Sequence, residues 1–140
     1  MTYLLDTCVI SELVAKRPNP SVVTWIDTQL PTDLHLSVIT IGEIAKGTSK
    51  LAPSRRKDSL TTWLNQTLPN RFGERILGID TATMMLWGDM VGRLEKQGTP
   101  MPLLDSLIAA IAIQNSLRLV TRNIDDFAAT GIVMLNPWLA

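Results

Sequence analysis

YLLDTCVISEL, residues Tyr3 to Leu13, opens with large apolar residues and closes on a helical pattern, with Asp6 at the junction. A short run that is apolar on both faces suits a strand buried between layers, as in a parallel sheet covered by helices. An acid directly after such a strand has two readings. It caps the following helix, a contribution of about 1 kcal/mol. Alternatively, it faces the crevice beyond the strand's carboxyl end, where open parallel sheets bind their ligands.

The alternation continues along the chain. Tyr3–Asp6, Leu34–Val38, Arg75–Ile79, Leu117–Thr121 and Ile132–Leu135 read as strands. Helices are expected from Val9 to just before Arg17–Pro20, where two prolines break the pattern, and over Ser21–Leu30, residues 39–51, Ser54–Leu68, Thr81–Gly98 and residues 103–116. Strands separated by helices imply right-handed crossovers, hence an α/β fold: a three-layer α/β/α sandwich around a mostly parallel sheet of about five strands. With 140 residues and no linker or repeat, residues 1–140 read as one domain.

Composition narrows the function classes. Thirteen Lys and Arg balance thirteen Asp and Glu, so no overall basic field marks a dedicated nucleic-acid-binding module. The one cysteine, Cys8, excludes an internal disulfide and a Cys-cluster zinc site, and the one histidine, His35, excludes a His-rich metal site. Asp6 and the lack of a basic start argue against a signal peptide. No apolar stretch approaches 20 residues, so a cytoplasmic protein without a membrane span is expected. No Gly-x-Gly-x-x-Gly follows any strand, which excludes a dinucleotide site.

The polar residues at the strand ends are the informative ones. Asp6 ends the first strand, Glu43 lies one turn into the helix after the second, Asp105 opens an apolar helix, and Asn123, Asp125 and Asp126 follow the fourth strand. Each has a structural reading of its own. Thr40 and Glu43 spell a capping box, which is the favoured reading of Glu43 taken alone. Asp105 complements a helix dipole, and Asp126 is a solvated loop acid. Together they are harder to dismiss, because carboxylates within ~4 Å repel by about 4 kcal/mol per pair at an effective dielectric near 20. Oxygen donors without nearby histidine or cysteine select a hard ion, Mg²⁺ or Mn²⁺, which can activate a water for attack on a phosphodiester. A phosphoacceptor receiver domain also builds an acidic pocket, but it needs a late-strand lysine, and none occurs after Lys96.

The segments YLLDTCVISEL, LSVITIGEIAKG, PMPLLDSLIAAIA and LVTRNIDDF, followed by GIVMLNPW, together resemble the PIN-domain family. Within it they look like VapC toxins of bacterial toxin–antitoxin pairs, in particular the FitB-like branch. The resemblance runs from Tyr3 to Trp138. It implies a metal-dependent endoribonuclease, restrained by a cognate antitoxin, that leaves a 5′-phosphate and a 3′-hydroxyl. It places the family's acids on Asp6, Glu43 and Asp105, with Asp126 as the fourth and Asn123 as a polar or water-mediated contributor. Cys8 departs from the family's usual Asp-Thr-Asn, and the thiol reads as a small filler.

Thr7 and Thr121 are expected to support the carboxylates, and Lys46, Arg55, Arg56 and Arg122 are candidate RNA contacts. The apolar surplus of Met84–Met90, with Val22 and Trp25, points to a homodimer seam and an antitoxin groove, which the resemblance also implies. The competing reading is a catalytically inactive PIN-like interaction module in which the acids serve only as caps.

Overall fold

A computed structural model describes residues 1–140. Its central strand is the opening run, β1 (Tyr3–Leu5). Successive side chains of a strand point to opposite faces, and here both faces are covered. Tyr3 and Leu5 enter one core with Val9, Ile10, Val22, Leu36 and Phe72, whereas Leu4 enters the other with Ile108, Ile111, Leu119 and Phe127.

The first core lies under α1 (Thr7–Leu13) and α2 (Pro20–Asp27), with β2 (Leu34–Ser37) feeding α3 (Val38–Ser49). Next come α4 (Arg55–Thr62) and α5 (Leu68–Phe72), then the short edge strand β3 (Ile76–Leu77). The second core lies under α6 (Thr81–Lys96) and α7 (Leu103–Gln114). The chain closes through β4 (Arg118–Val120), α8 (Ile124–Phe127) and β5 (Met134–Leu135). In α7, Ala109, Ala110 and Ala112 are fully buried, and their small side chains let the helix lie close to the sheet. The strand order is β3-β2-β1-β4-β5, and every pairing is parallel, so the sheet is wholly rather than mostly parallel.

Two expectations change. The helix anticipated over Ser54–Leu68 runs on to Phe72, and between α4 and α5 it widens into a π-helical turn at Trp63–Thr67. Pro69 has no N–H to give and cannot continue a regular helix, and the Leu68 N–H bonds to the Trp63 carbonyl instead of the residue four back. The segment after β4 was expected as a loop but forms α8, anchored by the fully buried Phe127. A four-residue helix is too short to show a period.

His35 is packed as expected, its Nδ1 3.3 Å from the Tyr3 carbonyl oxygen. Val22 is fully buried, and the half-buried Trp25 packs on the same core, meeting Tyr3 edge-on at 5.0 Å between ring centroids. No helix is long and apolar enough to cross a membrane.

Candidate functional site

Parallel strands that share a register bring their carboxyl ends to one edge, and the site is assembled there. Asp6 leaves β1 in an extended conformation, with its N–H bonded to the Val120 carbonyl of the neighbouring β4 at 2.9 Å. Its side chain is only 5% exposed. Oδ1 accepts from the Thr7 N–H and Oδ2 from the Thr121 hydroxyl, both at 2.8 Å. Asp6 therefore does cap α1. Two bonds still leave a carboxylate, with about four acceptor sites, room for another partner. Burial holds the Asp6 carboxyl above its ordinary range, opposed by the bonds from Thr121 and Thr7 and reinforced by the charge of Glu43.

Thr121 is itself fully buried and oriented from behind, because its Oγ1 accepts the Asn123 N–H at 3.0 Å while donating to Asp6. The Thr7 hydroxyl donates to Glu43 Oε1 at 2.8 Å and lies 2.9 Å from the Thr40 hydroxyl. With the Thr7 proton committed to Glu43, the buried Thr40 hydroxyl is left as donor to Thr7. The carboxylates on β1 and α3 are thus linked through the first turn of α1.

The capping-box reading of Glu43 is corrected by this geometry. Ser37 caps α3, accepting the Thr40 N–H at 3.2 Å, so Glu43 sits well inside the helix and not at its third position. The strand ended three residues earlier than the pattern Thr40–Glu43 required, and the serine at its end took the cap. Freed from that duty, Glu43 faces Thr7.

Asp105 stands in the first turn of α7, half-buried. Burial, then the negative charges of Asp6, Asp126 and Glu43, push its carboxyl up to about 6. All four acids expected from the sequence are therefore close enough for one of them to feel the other three, although they come from β1, α3, α7 and α8. Asp126 and Asn123 are exposed, Asp126 in the first turn of α8 and Asn123 just before it. None of the four forms a salt bridge; the one ion pair in the protein joins Arg93 to Asp89 on α6. Nor do any three acidic, histidine or cysteine groups lie close enough together here to hold a metal ion between them.

Cys8 Sγ lies 3.7 Å from both Asp6 Oδ2 and Thr121 Oγ1. Burial and then the Asp6 charge push the thiol up, which keeps it protonated and poorly nucleophilic.

The basic candidates divide. Arg122 lies over the Trp138 ring, 5.4 Å from its centroid, and pairs with no acid. Lys46 shares a shallow pocket with Glu43. Arg56 lines a cleft with Glu43 and Thr7 and donates to the Val14 carbonyl at 2.8 Å, whereas Arg55 is exposed beside it on α4. Ser37 and Thr40 were not recognised as site residues. Their signal was present as two hydroxyl residues flanking the end of β2, but it reads as ordinary capping until the helix start is known.

The PIN domain family model matches residues 3–133 of the chain. The plasmid stability protein StbB of Pseudomonas syringae pv. tomato is 36% identical, over 98% of this chain and 99% of that protein. Toxin FitB of Neisseria gonorrhoeae is 35% identical over 96% of this chain and 97% of its own length. The crystal structure of FitAcB from the same organism superposes with a TM-score of 0.94 at 34% identity, covering 99% of this chain and all of that one. VapC ribonuclease Y4jK of Sinorhizobium fredii is 30% identical over 96% of both chains. A match that runs nearly end to end and takes in all four strand-end acids leaves one conclusion: this chain belongs to the PIN domain family.

Proposed function

We infer that the protein is the toxin of a toxin–antitoxin pair, an endoribonuclease whose 140 residues form one nuclease domain around Asp6, Glu43, Asp105 and Asp126. The observation that carries this reading is the gathering of Asp6, Asp126 and Glu43 around a half-buried Asp105, whose carboxyl is pushed up to about 6 by burial and then by their charges, with no lysine or arginine paired to any of the four. Its relatives named ribonuclease and toxin supply the reaction class.

The donor set fits Mg²⁺ or Mn²⁺: carboxylate oxygens only, with hydroxyls behind them and no free imidazole. Asp6 and Asp105 would be the principal ligands, completed by Glu43 and Asp126. A bound divalent ion supplies a Lewis acid and a water of lowered pKa for attack on the phosphodiester. The chain's own part is positional. The Thr121 hydroxyl and the Thr7 N–H fix the two Asp6 oxygens, and the Thr7 hydroxyl steers Glu43. Asn123 contributes a polar group at the exposed side. Lys46, Arg55, Arg56 and Arg122 offer phosphate contacts, Arg122 with its guanidinium lying over the Trp138 ring.

The partners of this reading are RNA, a cognate antitoxin and a second copy of the chain. The exposed Met84, Met85 and Leu103 are available for a protein contact.

The test is cleavage of a panel of structured RNAs by purified protein with Mg²⁺, with Mn²⁺ and with EDTA, beside Asp6→Asn and Asp105→Asn. Cutting that needs the divalent ion and vanishes in both folded variants is expected. Wild-type protein that binds no divalent ion and cuts nothing would sink the reading.

A further inference from the structure

Next to the acids, among α1, α3, α4 and the π-helical turn, lies a cleft of about 300 Å³. It shares a wall with the acid cluster, since Thr7 and Glu43 line both. Ser11 and Thr48 add hydroxyls, Val14, Ile44, Leu51, Leu60 and Trp63 the apolar part of the lining, and Arg56 a guanidinium held in place by the Val14 carbonyl. We propose that this cleft is a nucleobase pocket, holding one unpaired base of the RNA beside the phosphate presented to the acids.

A lining part apolar and part polar suits a base, which has both a flat apolar face and a hydrogen-bonding edge. An apolar occupant would strip water from the hydroxyls, the carboxylate and the guanidinium without replacing their hydrogen bonds, which is costly. A base offers a π-face to Trp63 or Arg56 and a hydrogen-bonding edge to Ser11 and Thr48, the two means by which single-stranded RNA is recognised. The exposed cations Lys46 and Arg55, on the helices that border the cleft, complement the phosphates on either side of such a base. Trp63 opens the π-helical turn, a local widening that frequently accompanies functional sites. The pocket would make the enzyme selective for the nucleotide next to the cut.

The proposal rests on the ribonuclease reading, so its test is kept apart from cleavage. AMP, GMP, CMP, UMP and ribose 5-phosphate are titrated in EDTA into ¹⁵N-labelled protein and followed by NMR. Gly47 lines the cleft on α3, and a Cβ built there meets no atom within 4 Å, so the side chain of Gly47→Leu starts without a clash and is expected to obstruct the pocket. One nucleotide is expected to bind more tightly than the other three, moving the Trp63 indole N–H and the Ser11 and Thr48 amides. Gly47→Leu and Trp63→Leu should weaken it by about tenfold or more, the size of a lost base–aromatic stack, whereas Trp63→Phe keeps the aromatic face and most of the affinity. Gly47→Leu keeps the experiment decisive if Trp63→Leu fails to fold. Ribose 5-phosphate binding as tightly as the nucleotides, or shifts that avoid these residues, would overturn the proposal. So would tight binding by Gly47→Leu, and with no nucleotide bound the cleft belongs to a protein partner. Because no divalent ion is present, base binding can succeed while the cleavage assay fails, and the reverse.

Discussion

Asp105 carries the clearest electrostatic signature in the protein, and its sign makes it testable. Its carboxyl titrates near 6 in the folded chain against an ordinary 3.8, so the folded state holds that proton more tightly than the unfolded one. The resulting stabilisation is complete below about 3.8 and disappears as pH rises through 6. In EDTA, the melting temperature should therefore carry a decline between pH 4 and 7 that Asp105→Asn removes. Added Mg²⁺ or Mn²⁺ should offset it, because a cation favours the ionised carboxylate; differential scanning calorimetry across pH checks both. Cleavage should rise with pH through the same window as the ligands ionise. Thr121 offers a second test. Thr121→Val leaves Asp6 Oδ2 and the Asn123 N–H without their partner, so divalent-ion affinity measured by titration calorimetry should fall by about 10–100-fold. Stability should drop by about 1–3 kcal/mol. Thr121→Ser restores the hydroxyl and should recover the ion affinity.

The start of α3 separates two readings of one short motif. Ser37→Ala should cost about 1 kcal/mol in denaturant unfolding, because the Thr40 N–H loses its cap. Glu43→Gln keeps an oxygen for the Thr7 hydroxyl and touches no cap, so it should leave stability within about 0.5 kcal/mol while abolishing cleavage. The motif Thr40–Glu43 was visible in the sequence, but its role depended on where β2 ended, and that end is set by pairing of Leu36 and Ser37 with β3, far along the chain, rather than by local pattern. The five strands and the long helices were readable because their apolar runs and 3.6-residue stripes are strong. The π-helical turn and α8 were not, since one follows from a single proline at the end of a helix and the other has only four residues. Among the acids, type and order pointed to Asp6, Asp105 and Asp126. The hydroxyls of Ser37 and Thr40 went unrecognised because serine and threonine cap helices everywhere.

All of this rests on one buried sheet with a core on each face. Leu119, fully buried in the core under α6 and α7, sits between Leu4 of β1 and Met134 of β5 in register. Leu119→Ala should cost about 2–5 kcal/mol, a large share of the 5–15 kcal/mol typical of a domain, measured by chemical denaturation. A drop below 1 kcal/mol would contradict the packing described. The order of the strands has a further consequence, in time rather than in energy. Asp6 is made well before the hydroxyl that holds its Oδ2, which lies 115 residues downstream on Thr121. At a ribosomal rate of about 5–20 residues per second, that gap lasts on the order of ten seconds. Through most of this interval the nascent chain lacks β4, Asp105 and Asp126, and its central strand can be paired on one side only. The four acids therefore cannot come together until β4 and α8 have been made, however early Asp6 and Glu43 are in place.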